Sequence, residues 1–162
     1  MPRAAPWFAL AALVIALDRA SKLGVLEALR EGESRAQTGF FNLVLVFNKG
    51  AAFSFLAAAP GWQTPLFASI AVIAAIVVTV LILKNAHRKL FCSALALILG
   101  GALGNLWDRL LYGRVVDFLD LHAAGWHWPA FNLADSAITV GAGILIVEGF
   151  LPRAQAPRDT EA

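Results

Sequence analysis

Several acidic residues of this chain sit where an acid is costly. Asp117 lies within Val115-Val116-Asp117-Phe118-Leu119, an apolar, strand-like run that a lone surface aspartate would not ordinarily occupy. Asp135 follows Asn132-Leu133-Ala134 at the start of a long apolar stretch. Two carboxylates brought together in a poorly solvated site do not easily both ionise. One pKa rises, and the pair holds a single proton. Such a pair can take a proton from water while hydrogen-bonding a carbonyl, which is the chemistry of peptide-bond hydrolysis. The competing reading of Asp135 is an N-cap or a favourable helix-dipole contact. Spacing alone leaves both open.

Other polar residues have structural readings at least as good as chemical ones. Asp18 and Lys22 stand four apart, on one helical face, and suit an ion pair. Asp108 and Arg109 are adjacent and point to different sides of a helix, so each needs a partner elsewhere; Arg109 suits a carboxylate or a lipid phosphate. His122 and His127, with Asp120 nearby, fit no standard metal spacing. Ser21, Ser54 and Ser136 lack a His or Lys base in a nucleophile motif. Gly100-Gly101-Ala102-Leu103-Gly104 reads as a small-residue packing face. The single cysteine, Cys92, lies in an apolar run and reads as a buried, inert thiol.

The elements that must position these residues follow from composition. A hydrophobic fraction of 59%, a charged fraction of 15% and a mean hydropathy of +0.70 depart from soluble-domain values and point to a bilayer as solvent. A net charge of +2, with no basic stretch interleaved with aromatics, argues against nucleic acid as a partner. Spanning helices need about 20 mostly apolar residues, and four segments approach this, at about 7–29, 65–83, 90–110 and 132–151. The expected fold is therefore a mostly α membrane protein: one four-helix domain over residues 1–152, with a short polar tail at 153–162. Arg3 and the apolar run 7–17 imitate a secretory leader, but Asp18-Arg19-Ala20-Ser21-Lys22 follows in place of a small-x-small cleavage site. The segment reads as a retained first helix.

Lys84-Asn85-Ala86-His87-Arg88-Lys89 is a short basic link between the second and third spans, the best candidate for a cytoplasmic loop. Arg3, Arg153 and Arg158 fall on the same side if the helices alternate, placing both termini inside. Alternation then brings Asp18, Lys22, Asn105, Asp108, Arg109, Asp117, Asn132 and Asp135 to the opposite, outer membrane level. The outer loops read partly as strand. Phe41-Asn42-Leu43-Val44-Leu45-Val46-Phe47 is β-branched and aromatic, Asn48-Lys49-Gly50 marks a turn, and Ala51-Ala52-Phe53-Ser54-Phe55 is a candidate return strand. A second strand is expected over 114–121, followed by an interfacial Trp126-His127-Trp128.

These residues fall into blocks that resemble lipoprotein signal peptidase, the signal peptidase II family of bacterial aspartic membrane peptidases. The blocks are Asp18-Arg-Ala-Ser-Lys22, Asn48-Lys-Gly-Ala-Ala-Phe-Ser54, Gly101-Ala-Leu-Gly-Asn-Leu-Trp-Asp-Arg109, Val115-Val-Asp-Phe118 and Phe131-Asn-Leu-Ala-Asp-Ser136. Five blocks in order span nearly the whole chain. The resemblance implies that Asp117 and Asp135 are catalytic and that Asn48, Gly50, Asn105, Asp108, Arg109 and Asn132 line or brace the site, with Asp18 and Lys22 matching the first block. It implies a prolipoprotein substrate carrying diacylglycerol on its lipobox cysteine, cleaved on the amino side of that cysteine. It also implies a monomer in the bacterial inner membrane, in contact with membrane lipids and needing no metal or organic cofactor. The rival classes are a proton-coupled transporter, which would spread its polar groups across the bilayer or repeat a helix pair, and a scaffold whose charges only lock helix packing.

Overall fold

The computed structural model describes residues 3–50 and 61–151. Four long helices carry the chain: α1 (Ala5–Ala28), α2 (Gln63–Lys84), α3 (Lys89–Tyr112) and α4 (Leu133–Phe150). Three of them, α2, α3 and α4, are long and apolar enough to cross a membrane. The first, α1, is as long, but Asp18, Arg19 and Lys22 interrupt its apolar run. Its carboxylate Asp18 and its ammonium Lys22 are both fully buried. Those charges face the protein interior.

Helix α3 is the hub and packs against each of the other three. Its small residues make this possible. A Cβ at Gly100 would sit 2.8 Å from the Ala11 carbonyl of α1, and one at Gly101 would sit 2.7 Å from Ile138 Cγ1 of α4 and closer still to the Ala134 carbonyl. Gly141 returns the fit from α4, where a Cβ would meet the Ala94 carbonyl at 2.7 Å. Small residues therefore let three backbones approach closely, as helix packing in lipid requires. By contrast α2 presents Ile70, Ile73, Ile76 and Val77 outward, an apolar surface suited to lipid.

One apolar cluster, with Ala11, Val78, Ile82, Leu95 and Leu99, ties α1, α2 and α3 together. Another joins the end of α1 (Val25, Leu29) to a four-stranded antiparallel sheet through Leu45, Val116 and Phe118. That sheet, in order β1-β2-β3-β4, comprises β1 (Ser34–Ala36), β2 (Phe41–Asn48), β3 (Val115–Ala123) and β4 (Trp126–His127). Strands were expected over 41–47 and 114–121, and β2 and β3 fall there. β2 pairs antiparallel with β1 of the same outer loop on one side and with β3 of the other outer loop on the other. The proposed return strand at 51–55, the tail at 153–162, and Arg153 and Arg158 lie outside the described residues.

Strand β3 is central. Its register with β2 slips between Leu43 and Val46, a bulge that buries both Val44 and Leu45. On its other edge Leu119 bridges Phe131, just before α4 begins. Through that bridge the start of α4 is held beside the strand that carries Asp117.

Candidate active site

Asp117 is the third residue of β3 and is 2% exposed. Its Oδ2 accepts from Asn48 Nδ2 at 3.1 Å, a diagonal cross-strand contact from β2. Its Oδ1 accepts from Asn132 Nδ2 at 2.7 Å. Burial, and then the nearby Asp135 charge, push the Asp117 carboxyl up to about 7, while the two amide hydrogen bonds pull the other way. Such a carboxyl holds a proton near neutrality.

Asp135 occupies the first turn of α4. Asn132, not Asp135, is the N-cap: its Oδ1 accepts from the Asp135 amide at 2.9 Å, and Asp135 Oδ2 accepts from the Asn132 amide at 3.3 Å. This capping box fixes the aspartate at the third helical position. Its other oxygen accepts from Asn105 Nδ2 at 2.8 Å. Each carboxylate thus accepts two hydrogen bonds, and among the described residues neither forms an ion pair with Lys or Arg. Asn132 touches both, Asp117 through its side chain and Asp135 through its backbone. Both line one cavity of about 570 Å³.

Behind the carboxylates lies a buried ionic brace. Lys22 Nζ reaches Asp18 Oδ2 at 2.8 Å, Asp108 Oδ2 at 2.9 Å and Asn105 Oδ1 at 3.0 Å. The ammonium donates to the Asn105 oxygen and is held between the two carboxylates as ion pairs. Asn105 therefore presents its oxygen to Lys22, leaving its NH2 to point at Asp135. Asp18 Oδ1 accepts from the Ala134 amide at 3.0 Å, one of the first-turn N–H groups that a helix leaves free. Asp108 accepts from Arg19 at 2.6 Å and from the Val116 amide at 3.2 Å. Gly104 belongs here too, since a Cβ would stand 2.7 Å from Asp18 Oδ2. The brace locks α1, α3, β3 and the first turn of α4 to one another. It does not open to the cavity.

Arg109 faces the cavity from α3. It donates to the Gly50 carbonyl at 3.1 Å and to the Asn105 carbonyl at 3.3 Å, and its guanidinium lies 5.4 Å from the Phe67 ring centroid. Gly50 in turn donates its amide to Asn48 Oδ1 at 2.8 Å, which orients the Asn48 NH2 toward Asp117. The residues singled out by sequence thus divide. Asp117, Asp135, Asn48, Asn105 and Arg109 line the cavity; Asp18, Lys22, Asp108 and Asn132 are buried behind it; Gly50 links Asn48 to Arg109.

Two features escaped the sequence reading. Arg19 was passed over, although it pairs with Asp108 and lies 5.8 Å from the Trp107 ring. A charge next to Asp18 on an apolar helix was the available signal. The cavity wall of Trp128, Pro129, Ala130, Phe131, Thr139 and Val140 was also missed; only Trp126-His127-Trp128 hinted at it. Among the described residues no His, Cys, Asp and Glu side chains group as a metal-binding set. Cys92 is buried, its thiol directed at the Asn85 carbonyl 3.0 Å away.

Residues 10–151 match the family model described as signal peptidase (SPase) II. Curated proteins named lipoprotein signal peptidase are similar over most of their length. That of Paraburkholderia phymatum is 55% identical, covering 89% of this chain and 87% of its own. That of Ralstonia nicotianae is 57% identical, covering 88% and 83%. Among solved structures, a bacterial membrane enzyme at 2.3 Å resolution superposes with a TM-score of 0.82 at 28% identity, covering 94% of each chain. A second, at 1.9 Å, gives 0.79 at 30% identity, covering 90% and 93%.

Proposed function

Because the chain belongs to the signal peptidase II family, we propose that it is a lipoprotein signal peptidase in which Asp117 and Asp135 activate water. The observation that carries this reading is that two carboxylates, each with its own amide donors and neither ion-paired among the described residues, face one cavity. The substrate is a prolipoprotein whose lipobox cysteine already bears diacylglycerol. The bond broken is the peptide bond on the amino side of that cysteine.

One carboxylate of the pair is ionised and the other protonated. The ionised one takes a proton from water as the oxygen attacks the scissile carbonyl carbon. The protonated one donates to the carbonyl oxygen, so that the tetrahedral intermediate forms without a full oxyanion. Collapse breaks the C–N bond, and the newly protonated carboxyl gives its proton to the departing amine of the cysteine. The products are a signal peptide ending in a carboxylate and a lipoprotein beginning at the lipidated cysteine. Arg109 and Asn48, at the cavity edge, are placed to hold substrate carbonyls.

In this reading all four helices span the bacterial inner membrane as one domain, residues 1–152, with both termini cytoplasmic and the carboxylate pair near the outer surface. At about 1.5 Å per residue the 24-residue α1 extends about 36 Å, enough to cross the hydrocarbon. Its charges are tolerated because they are paired inside the protein. The protein acts as a monomer among membrane lipids.

Purified protein incubated with a lipidated prolipoprotein, scored by mass for loss of the signal peptide, tests the reading. Asp117→Asn and Asp135→Asn are each expected to lower kcat by at least about a thousandfold while the protein stays folded and inserted. Turnover within tenfold of wild type in either variant removes that residue from the pair. A wild-type protein that leaves the lipidated substrate intact removes the activity itself.

A further inference from the structure

Asp120 lies on β3 three residues beyond Asp117, and the pleat turns it to the opposite face of the strand. It is 7% exposed and is not part of the ionic brace. Asn42 of β2, its cross-strand register partner, donates to Asp120 Oδ2 at 2.8 Å. His127 of β4 places Nδ1 2.9 Å from both Asp120 oxygens. One carboxylate therefore ties three strands together.

What this clasp secures is the wall of the cavity. After the tight turn at Ala124 (φ 49°) and Gly125 (φ 80°), the chain doubles back along β3 as β4. It then runs through Trp128, Pro129, Ala130 and Phe131, all of which line the cavity with Leu121 of β3. The backbone holds that return at its two ends, by the Trp128 amide on the Leu121 carbonyl at 2.7 Å and at Phe131, whose amide donates to the Leu119 carbonyl at 3.1 Å and whose carbonyl accepts from the Phe118 and Leu119 amides at 2.9 and 2.8 Å. Proline at 129 has no N–H to add to the ladder. The ring of His127 also stacks on that of His122, centroids 5.0 Å apart. Against burial, which raises it, the Asn42 and His127 contacts hold the Asp120 carboxyl below its ordinary value, so it is a fixed anion at neutral pH.

We infer that Asp120 and His127 act together as a positioning pair that sets the Trp128–Phe131 wall against the substrate, and so govern how tightly substrate binds rather than the chemical step. This rests on the proposed peptidase activity. The titratable groups facing Asp120 are His127 from β4 and His122 from its own strand, while the packed strand β2 contributes the neutral Asn42. The clasp is held by the contact of His127 Nδ1 with both Asp120 oxygens and by the Asn42 amide.

The test measures kcat and KM for cleavage of a lipidated prolipoprotein by full-length Asp120→Asn, His127→Phe and the double variant. His127 is half-exposed, and phenylalanine keeps a ring against His122, so this variant remains informative if Asp120→Asn fails to fold. Each single change is expected to raise KM by roughly fivefold or more with kcat within about twofold. The double variant is expected to match the singles, because either change already breaks the pair. A merely structural clasp lowers the active fraction, hence apparent kcat, at unchanged KM. That result, or additive effects in the double variant, overturns the proposal while wild-type cleavage and its loss in Asp117→Asn leave the peptidase reading standing.

Discussion

The carboxyl of Asp117 stands at about 7 because it is buried beside a second acid, and this has consequences for both stability and turnover. An unfolded aspartate releases its proton near pH 4. Between there and about 7 the folded protein binds the extra proton, so this residue favours folding at the acid end and loses that contribution as pH rises through the window. For hydrolysis the same proton is the one the pair must retain. On this account kcat/KM falls above pH 7 by about tenfold per unit as the last shared proton leaves. A profile from pH 5 to 9 on lipidated substrate, with folding followed in parallel, checks the limb; constant kcat/KM through pH 9 contradicts a proton shared at Asp117. The amide neighbours matter to this balance. Asn48 and Asn132 stabilise the ionised form, so the site holds a raised but still accessible pKa in place of a permanently neutral acid. The apolar run around Asp117 made it conspicuous in the sequence, whereas its two amide donors come from β2 and from the cap of α4. Neither spacing predicts them.

At the scale of elements, the carboxylates owe their relation to how closely α4 approaches α3. Gly101 has no room for a methyl group, with Ile138 Cγ1 2.7 Å from where its Cβ would be and the Ala134 carbonyl nearer still. Ala134 immediately precedes Asp135. Gly101→Ala is therefore expected to push the first turn of α4 outward and cut kcat by about a hundredfold, since displacements of about 1 Å cost on that order. Gly143→Ala on α4 meets nothing within 4 Å and should leave turnover unchanged, as assayed side by side with matched insertion levels. Activity retained in Gly101→Ala means that the helices adjust and the close fit is not needed. The four helices are readable as long, mostly apolar blocks, and their bounds fall within a few residues of 7–29, 65–83, 90–110 and 132–151. The sheet was readable only in part. The short exposed strand β1 has no apolar pattern, its burial being open at all three positions. Pairing of β2 with β3 joins loops separated by two helices, which no local pattern encodes. Arg19 was hidden for a related reason, because its partner Asp108 lies 89 residues away.

Across the whole molecule, the polar groups are divided unequally between the two ends of the bundle. The carboxylate pair, the brace, Arg109 and the sheet occupy one end. At the other, Arg88 pairs with Glu148 and stacks 4.3 Å from the Phe91 ring centroid, and Trp7 donates to the Ala86 carbonyl at 3.1 Å. A carrier of protons across the bilayer needs groups in between. Instead the middle of the bundle is apolar, built on Val78, Leu95 and Leu99. Ordering the ends by sequence used only alternation and the basic link 84–89, and the structure puts that link opposite the sheet-bearing end. The proposed orientation relative to the cell rests on the positive-inside rule, by which short loops rich in Lys and Arg stay in the cytoplasm. In a Cys92→Ala background, a membrane-impermeant thiol reagent is expected to label Gln37→Cys, exposed in the strand-bearing loop, in intact spheroplasts. His87→Cys, exposed in the basic link, should react only after the membrane is opened. The reverse pattern would place the carboxylate pair on the cytoplasmic side and overturn the proposed orientation.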